Sequence, residues 1–544
     1  MSLSGPADTI ATQAALVQAL LQAASAAGTN PRVAMIETHI SFVLLTGHFA
    51  YKIKKAVGLS FLDFRTLAAR HFYCNEELRL NRRFAPEIYL DVVTITGTVD
   101  APVIGGDGPA IEYAVKMREF AQEALASEVL ARGELTTADI DALAASIAAA
   151  HQIAAIAPAG SRFGAPQLVL DIASHNFSEI RPLLDRTAAQ AETDDLDRLE
   201  QWAAQAHARA RIAMELRHDH GRIRECHGDL HLGNIALIGR TLTLFDCIEF
   251  NEEMRWIDVM SEVAFTIMDL RDRGRPDLAH RLQNAYLETT GDYDGLHVLR
   301  FYLVYRAMVR AKVARLRAAQ LADVEAKLHA LGQFRSYLRL AGHYAEAQRP
   351  ALIITHGLSG SGKSTMAQAL LEHTGAIRIR TDVERTRGSD KPGPPGDPTS
   401  IDSGRYAPEA TRATYVKVLA LARSACECGY QVIADATFQK RWQREAFRSL
   451  AKELGVPLVI VSCTASDATM RARIVKRMAH GNDDSQADLE VLEHQLRTQE
   501  PLGSDEHRDV VACDTDVIRD EHQRARWCGL VDRFVARTDG PNVA

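Results

Sequence analysis

The sequence predicts a multidomain α+β and α/β protein, in which a β-rich lobe, an α-rich lobe and a parallel sheet with helices on both faces follow one another along the chain. Three observations carry the prediction. Residues 32–120 alternate short apolar runs (42–45, 89–95 and 111–117) with polar turns such as 105–108, the pattern of a largely β lobe containing one helix. From Thr137 to about Glu346 the periodicity is helical, broken by strand-like runs at 235–237 and 242–245. Beyond Pro350, apolar runs at 352–355, 377–379, 431–434 and 458–462 alternate with helical stretches, and strands joined through helices pair in parallel.

The 544 residues exceed one ordinary core, since domains run to about 100–200 residues. The polar stretch 343–350 ends in a proline directly before a new strand, so the boundary is expected there. It divides a first domain, 1–346 (β-rich lobe about 32–120, α-rich lobe about 121–346), from a second, 350–544. Hydrophobic residues at 47% and charged residues at 24% match an average globular chain and exclude a disordered or fibrous one. A net charge of −7 removes any general attraction to phosphate backbones, so nucleic acid is not an expected partner. The Ala-rich stretch 9–27 has no Lys or Arg ahead of it and reads as a helix rather than a secretory signal. The most apolar segment, 144–160, is interrupted by His151 and Gln152 and falls short of the roughly 20 residues that span a bilayer. Of eight cysteines only Cys426 and Cys428 are close, in a spacing that matches no common zinc or redox motif, so reduced thiols and a cytoplasmic location are expected. The Pro/Gly-rich stretch 391–405 reads as a mobile loop.

The strongest motif is Gly357-Leu-Ser-Gly-Ser-Gly-Lys-Ser364, which matches GxxxxGK[ST], follows a predicted strand and opens a predicted helix. Such a P-loop curls its backbone so that the N–H groups around Gly357, Ser359, Gly360, Ser361, Gly362 and Thr365 face phosphates. Lys363 reaches the β- and γ-phosphates and Ser364 ligates magnesium. Asp435 ends a buried strand, as a magnesium-holding Walker B aspartate does. Asp382, in Asp-Val-Glu-Arg385, resembles the DxxR element of gluconate kinases, chloramphenicol phosphotransferases and zeta-toxin kinases, whose aspartate takes the acceptor hydroxyl's proton. Arg471, Arg473, Lys476 and Arg477 lie on a predicted helix that resembles the lid of those kinases, with Arg473 and Arg477 expected to neutralise charge on the transferring group. No guanine-reading NKxD occurs in this half, so ATP is the expected nucleotide.

A second constellation is His227-Gly-Asp229-Leu-His231-Leu-Gly-Asn234, followed after a strand by Asp246. An aspartate, an asparagine five residues on and an aspartate beyond a short hairpin supply the parts of phosphoryl transfer: Asp229 to orient the acceptor hydroxyl, Asn234 and Asp246 to hold magnesium through oxygen. These segments, HGDLHxxN and FDxxEF, resemble the aminoglycoside phosphotransferase family, relatives of the protein kinases with the same two-lobed fold. The resemblance implies an ATP-phosphate lysine in Thr46-Gly-His-Phe-Ala-Tyr-Lys-Ile-Lys-Lys55, where Lys52 and Lys54 share one side of a strand and Lys52 is preferred. It implies a partner carboxylate on the next helix, Glu76, with Glu77 as rival. It also implies a phosphate contact from Ser41 in Glu37-Thr-His-Ile-Ser41, which stands where a GxGxxG is expected, and an adenine-receiving hinge strand that includes Val115 and Met117. Asp258 is expected either to brace the catalytic loop or to cap a helix.

A kinase-like half followed by a P-loop half resembles bacterial fusions of an aminoglycoside phosphotransferase-like domain with a P-loop domain. The expected activity is ATP- and magnesium-dependent phosphorylation of a small hydroxyl-bearing metabolite, sugar-like in class, at two sites and in two successive steps. Two alternatives stand beside it: a regulatory kinase-like half, and a polynucleotide 5′-hydroxyl or toxin-like kinase in the second half. A helix after Arg300 carries Arg306, Arg310, Lys312, Arg315 and Arg317, a basic lining that, facing the cleft, favours an anionic acceptor.

Overall fold

The computed structural model describes residues 9–26, 33–59, 62–184, 190–347, 349–387, 408–480 and 489–537; the loop expected at 391–405 lies outside them. The chain forms two compact units: Met1–Thr193 with Ala203–Asp269 and Tyr305–Ala330, and Asp194–Trp202 with Leu270–Val304 and Leu331–Ala544.

The first unit is built on a six-stranded sheet in the order Ala34–Glu37, Ser41–Leu45, Phe49–Lys54, Glu112–Arg118, Tyr89–Gly97, Pro102–Ile104, every pair antiparallel. Side chains alternate across such a sheet, and the two faces bury different helices. Leu16, Val17 and Leu20 of helix Ile10–Ala26 pack on Phe42, Leu44, Ile53 and Ile95. Cys74 and Leu78 of helix Leu67–Asn81 pack on Tyr89 and Val115. Thr66 starts that second helix by accepting the Ala69 N–H at 3.1 Å, which satisfies one of the first-turn donors. Ile53 therefore faces one helix while Lys52 and Lys54 face the other.

Below the sheet, strand Ile223–Glu225 pairs with Trp256–Asp258, and hairpin Ile235–Ile238/Thr241–Leu244 follows the loop 226–234. Helix Val259–Asp272 runs beside that loop.

The second unit holds a five-stranded, wholly parallel sheet in the order Ile377–Arg380, Val432–Asp435, Leu352–His356, Leu458–Thr464, Val510–Asp514. Four strands were expected. The fifth, Val510–Asp514, is a short apolar run between charged segments and left no alternation to read. Met366 and Leu370 of helix Lys363–Thr374 and Trp527 and Val531 of helix Glu521–Arg537 close one face over Ile353, Val461 and Val511. Helices Pro408–Glu427 and Arg441–Leu454 contact strands of the same sheet. Helix Pro276–Thr290 props the nucleotide helix: His280 and Asn284, one turn apart, bond the Glu372 and Ala376 carbonyls at 3.0 and 3.1 Å. The α+β and α/β expectation is met.

Candidate active site

In the first unit the loop 226–234 is held by one face of a helix. Glu262 accepts the N–H groups of His227 (3.0 Å) and Gly228 (2.7 Å), Thr266 donates to the Leu230 carbonyl (2.7 Å), and Asp269 accepts the Leu232 N–H (2.9 Å). Residues four and three apart stack on one helical face, so a single helix sets four positions of the loop. These three residues were not singled out in the sequence, although polar residues spaced 262, 266, 269 inside an apolar helix are a readable signal. Glu262 is 2% exposed; burial opposes its charge, yet the bond and charge of His151, then His227 and the Gly228 amide, hold its carboxyl down to about 2.

The loop presents Asp229 with Asn234, whose Nδ2 donates to the Asp229 carboxylate at 3.0 Å. His231 accepts the Gly233 N–H at Nδ1 (3.0 Å), which leaves its proton on Nε2, 3.5 Å from Asp229 Oδ2. Burial raises the Asp229 pKa, but His231, Arg310 and His227 together hold it well below the usual carboxylate range.

Asp246 follows the hairpin with φ +64°, a left-handed conformation that costs a non-glycine residue about 1–2 kcal/mol. The turn is pinned by Tyr89 Oη, which accepts the Asp246 N–H (3.1 Å), and by Asn81 Oδ1, which accepts the Cys247 N–H (2.9 Å). The strained carboxylate thereby meets Lys52 Nζ at 2.5 Å, while Lys52 also contacts Glu77 at 2.8 Å.

That geometry shows where several of the expected residues stand. Lys52 and Lys54 both bond Glu77, not Glu76; adjacent helix residues point about 100° apart, and it is Glu77 that is fully buried against the sheet. Glu76 turns outward to Arg79 and Arg255. Lys54 is fully buried between Glu77 and Glu249, so Lys52, beside the exposed Asp246 carboxylate, is the lysine at the site's edge. Ser41 is fully buried, its Oγ without a hydrogen-bond partner among the described residues. Val115 and Met117 lie on a central strand, Met117 near its end, opposite Lys52 and Val92 and opposite Ala50 and Tyr89. Of the two expectations for Asp258 the helix cap is the one met: it accepts the Met260 N–H (2.9 Å) ahead of helix Val259–Asp272 and pairs with Arg217 at 2.7 and 2.8 Å, while Glu262 braces the catalytic loop.

In the second unit the loop 357–362 has positive φ at Gly357 (+141°), Gly360 (+78°) and Gly362 (+90°). A Cβ on Gly357 or Gly360 would stand 2.3 Å from the Cys463 carbonyl or 2.6 Å from that of Met470, so only glycine fits. Lys363 donates to the Leu358 carbonyl (2.8 Å); burial lowers its pKa, opposed by Asp435 and Asp382. Ser359 N–H donates to Gln495 Oε1 (2.8 Å). Ser364 and Thr365 are exposed at the start of the helix. Asp435 ends its strand 5% exposed, and among the described residues neither its Oδ2 nor Ser361 Oγ has a hydrogen-bond partner. Burial and the Asp435 charge raise the Asp382 pKa against Arg385, Arg380 and Lys363, and Arg385 lies 3.2 Å from its carboxylate.

The expected lid arginines divide. Arg473 is spent on structure, donating to the Gly360 carbonyl (3.1 Å) and Thr515 (2.8 Å), and Arg471 is tied to Asp467 and Glu493. Arg477 acts on Lys363 through its charge. A glycine cradle, a lysine and two buried, unpartnered oxygens fit a magnesium–triphosphate group, and in the first unit the all-oxygen donors Asn234 and Asp246 suit the same hard cation. All eight cysteines are free, and among the described residues no helix is long and apolar enough to cross a membrane.

Residues 85–302 match the phosphotransferase enzyme family and residues 352–502 match an AAA domain. "Uncharacterized protein Rv2004c" of Mycobacterium tuberculosis (strain ATCC 25618 / H37Rv) is 31% identical over 460 residues, covering 85% of this chain and 89% of its own. "Uncharacterized protein Mb2027c" of Mycobacterium bovis matches to the same extent, 31% over 460 residues. Among solved structures, a choline kinase from Cryptosporidium parvum Iowa II aligns with a TM-score of 0.38 and 13% identity over 60% of this chain and 96% of its own. A gluconokinase from Sinorhizobium meliloti 1021 aligns with a TM-score of 0.25 and 20% identity over 35% of this chain and 96% of its own. The chain belongs to the family of these mycobacterial proteins and is an ATP-dependent phosphotransferase in which a kinase-like segment is fused to a P-loop segment.

Proposed function

We propose that each unit transfers the γ-phosphoryl group of ATP to a hydroxyl of a small, sugar-like metabolite in the cytoplasm, and that the two transfers act in succession. The observation that carries the reading is Lys52 Nζ bridging Glu77 and Asp246, at 2.8 and 2.5 Å. It gives the first unit a nucleotide lysine locked to a helix carboxylate, beside the base Asp229, to match the cradle of the second.

In the first unit Lys52 orients the phosphates. Asp229 accepts the proton of the acceptor hydroxyl as its oxygen bonds to the γ-phosphorus and the bond to the β–γ bridging oxygen breaks, the electron pair leaving with ADP. In the second unit the loop N–H groups and Lys363 hold the phosphates, Arg477 offsets the developing charge, and Asp382 receives the proton. Magnesium, when bound, withdraws charge from the β- and γ-oxygens; Asn234 and Asp246 would hold it in one unit, Ser364 and Asp435 in the other.

The test is a metabolite library incubated with ATP and magnesium and read by mass spectrometry, with Asp229→Asn and Asp382→Asn beside the wild type. Each substitution is expected to abolish one phosphoryl addition and spare the other; an unchanged product set with either variant contradicts the reading. A second reading, in which the kinase-like unit binds nucleotide without turnover, is favoured by the buried Ser41 and the glycine-free turn 37–41. It predicts that only Asp382→Asn changes any product.

A further inference from the structure

In the second unit, side chains from beyond the P-loop hold its peptide groups. Arg473 donates to the Gly360 carbonyl at 3.1 Å, Thr515 Oγ1 donates to the Ser361 carbonyl at 2.9 Å, and Gln495 Oε1 accepts the Ser359 N–H at 2.8 Å. The first two hold carbonyls, whereas Gln495 holds an N–H and so sets its peptide the other way. The N–H and C=O of a trans peptide point in opposite directions, and among the described residues no peptide bond is cis. Ser359 N–H and the Leu358 carbonyl belong to one peptide group. With Gln495 on its N–H side, that peptide presents its carbonyl to the opposite side, where Lys363 Nζ donates to it at 2.8 Å. A single peptide group therefore joins Gln495 to the P-loop lysine.

Gln495 is placed by the packing of its helix. Leu492, Gln495 and Leu496 stand three and four residues apart on one face of helix Leu489–Thr498. Leu492 is fully buried with Met470 and Ile474, and Leu358 and Leu496 pack against that cluster. The helix face that adjoins Leu358 thus bonds the residue after it. Ser359 is 7% exposed, and a backbone N–H left unmet at such a place is costly.

We propose that Gln495 is a positioning residue of the P-loop unit: by accepting the Ser359 N–H it fixes the 358–359 peptide, whose carbonyl holds Lys363 where the β- and γ-phosphates arrive. The inference rests on the reading of the second unit as an ATP site and adds a residue that acts through the lysine. A backbone N–H only donates, so a side-chain oxygen can do this and a hydrocarbon of equal length cannot. Without the acceptor the peptide turns and its carbonyl leaves the ammonium. Lys363 serves the β- and γ-phosphates, so ATP loses more than ADP, which has no γ-phosphate.

The experiment titrates the full chain carrying Lys52→Ala, which removes the nucleotide lysine of the first unit, with magnesium and either a non-hydrolysable ATP analogue or ADP. Gln495→Leu and Gln495→Met are each expected to weaken the analogue by about tenfold, the scale of one orphaned backbone donor, and ADP by a clearly smaller factor. Gln495→Glu keeps an accepting oxygen at the same reach and is expected to restore most of the analogue's affinity. Because the two nucleotides are compared within each variant, a lowered folded fraction cancels. Analogue and ADP weakened by the same factor, or Gln495→Glu binding the analogue no better than Gln495→Met, overturns the inference and leaves the ATP reading of the unit intact. An analogue that does not bind the Lys52→Ala chain, or binds it no more weakly once Lys363→Ala is added, overturns that ATP reading and the inference with it.

Discussion

Glu262 touches no reacting atom in this account, yet it fixes the loop that carries Asp229, because two backbone N–H groups and His151 converge on one buried carboxylate. Its pKa of about 2, against an ordinary 4.5, makes that hold dependent on pH. A carboxyl whose pKa is depressed by folding adds stability that is complete above its unfolded pKa and disappears as pH falls through the folded one. The contribution is on the order of 3 kcal/mol at neutral pH, and it fades between about 4.5 and 2. Glu262→Gln should therefore destabilise the first unit at pH 7 by roughly that amount, with the gap to wild type closing across that window; urea unfolding at a series of pH values checks it, and a gap independent of pH would show that charge is not what holds the loop. Site residues were legible where chemistry needs a residue type at fixed spacing, as with the Asp229–Asn234 interval and the lysine of a GxxxxGK loop. The choice between Glu76 and Glu77 was not legible, since neighbouring helix positions differ only in which one the sheet buries. The burial of Ser41 was not legible for a related reason: a hydroxyl in a given segment says nothing about whether it faces solvent or core.

At the scale of elements, the sheet of the second unit was readable because alternating strands and helices admit few connections, and its glycine loop because the backbone there has no alternative. Gly360→Ala places a Cβ 2.6 Å from the Met470 carbonyl at φ +78°, and left-handed strain alone costs about 1–2 kcal/mol. The substitution should weaken Mg-ATP binding at the P-loop by roughly tenfold or more and leave Asp229-dependent transfer unchanged. Isothermal titration alongside the product assay checks both halves; an undiminished affinity would mean that the loop is not the cradle. Two features of elements escaped the sequence. The neighbours of Glu112–Arg118, a strand on either side, were not legible because pairing partners cannot be read from one strand's own composition. The loop-bracing face of helix Val259–Asp272 was passed over because its three polar residues interrupt an apolar helix that reads first as core.

For the whole molecule, the order of the two segments was plain from their motifs, whereas the membership of the compact units was not. Helix Pro276–Thr290 precedes the P-loop by many residues and still belongs with it, through Asn284 on the Ala376 carbonyl (3.1 Å) and on the Arg378 N–H (2.7 Å). Such packing depends on side-chain fit between distant segments, for which local periodicity carries no information. The central claim, that both units bind and use ATP, is tested most directly by counting nucleotide sites. Equilibrium titration of the full chain with a non-hydrolysable ATP analogue and magnesium should give two sites, one lost in Lys52→Ala and the other in Lys363→Ala. A single site, abolished by Lys363→Ala and indifferent to Lys52→Ala, would contradict it.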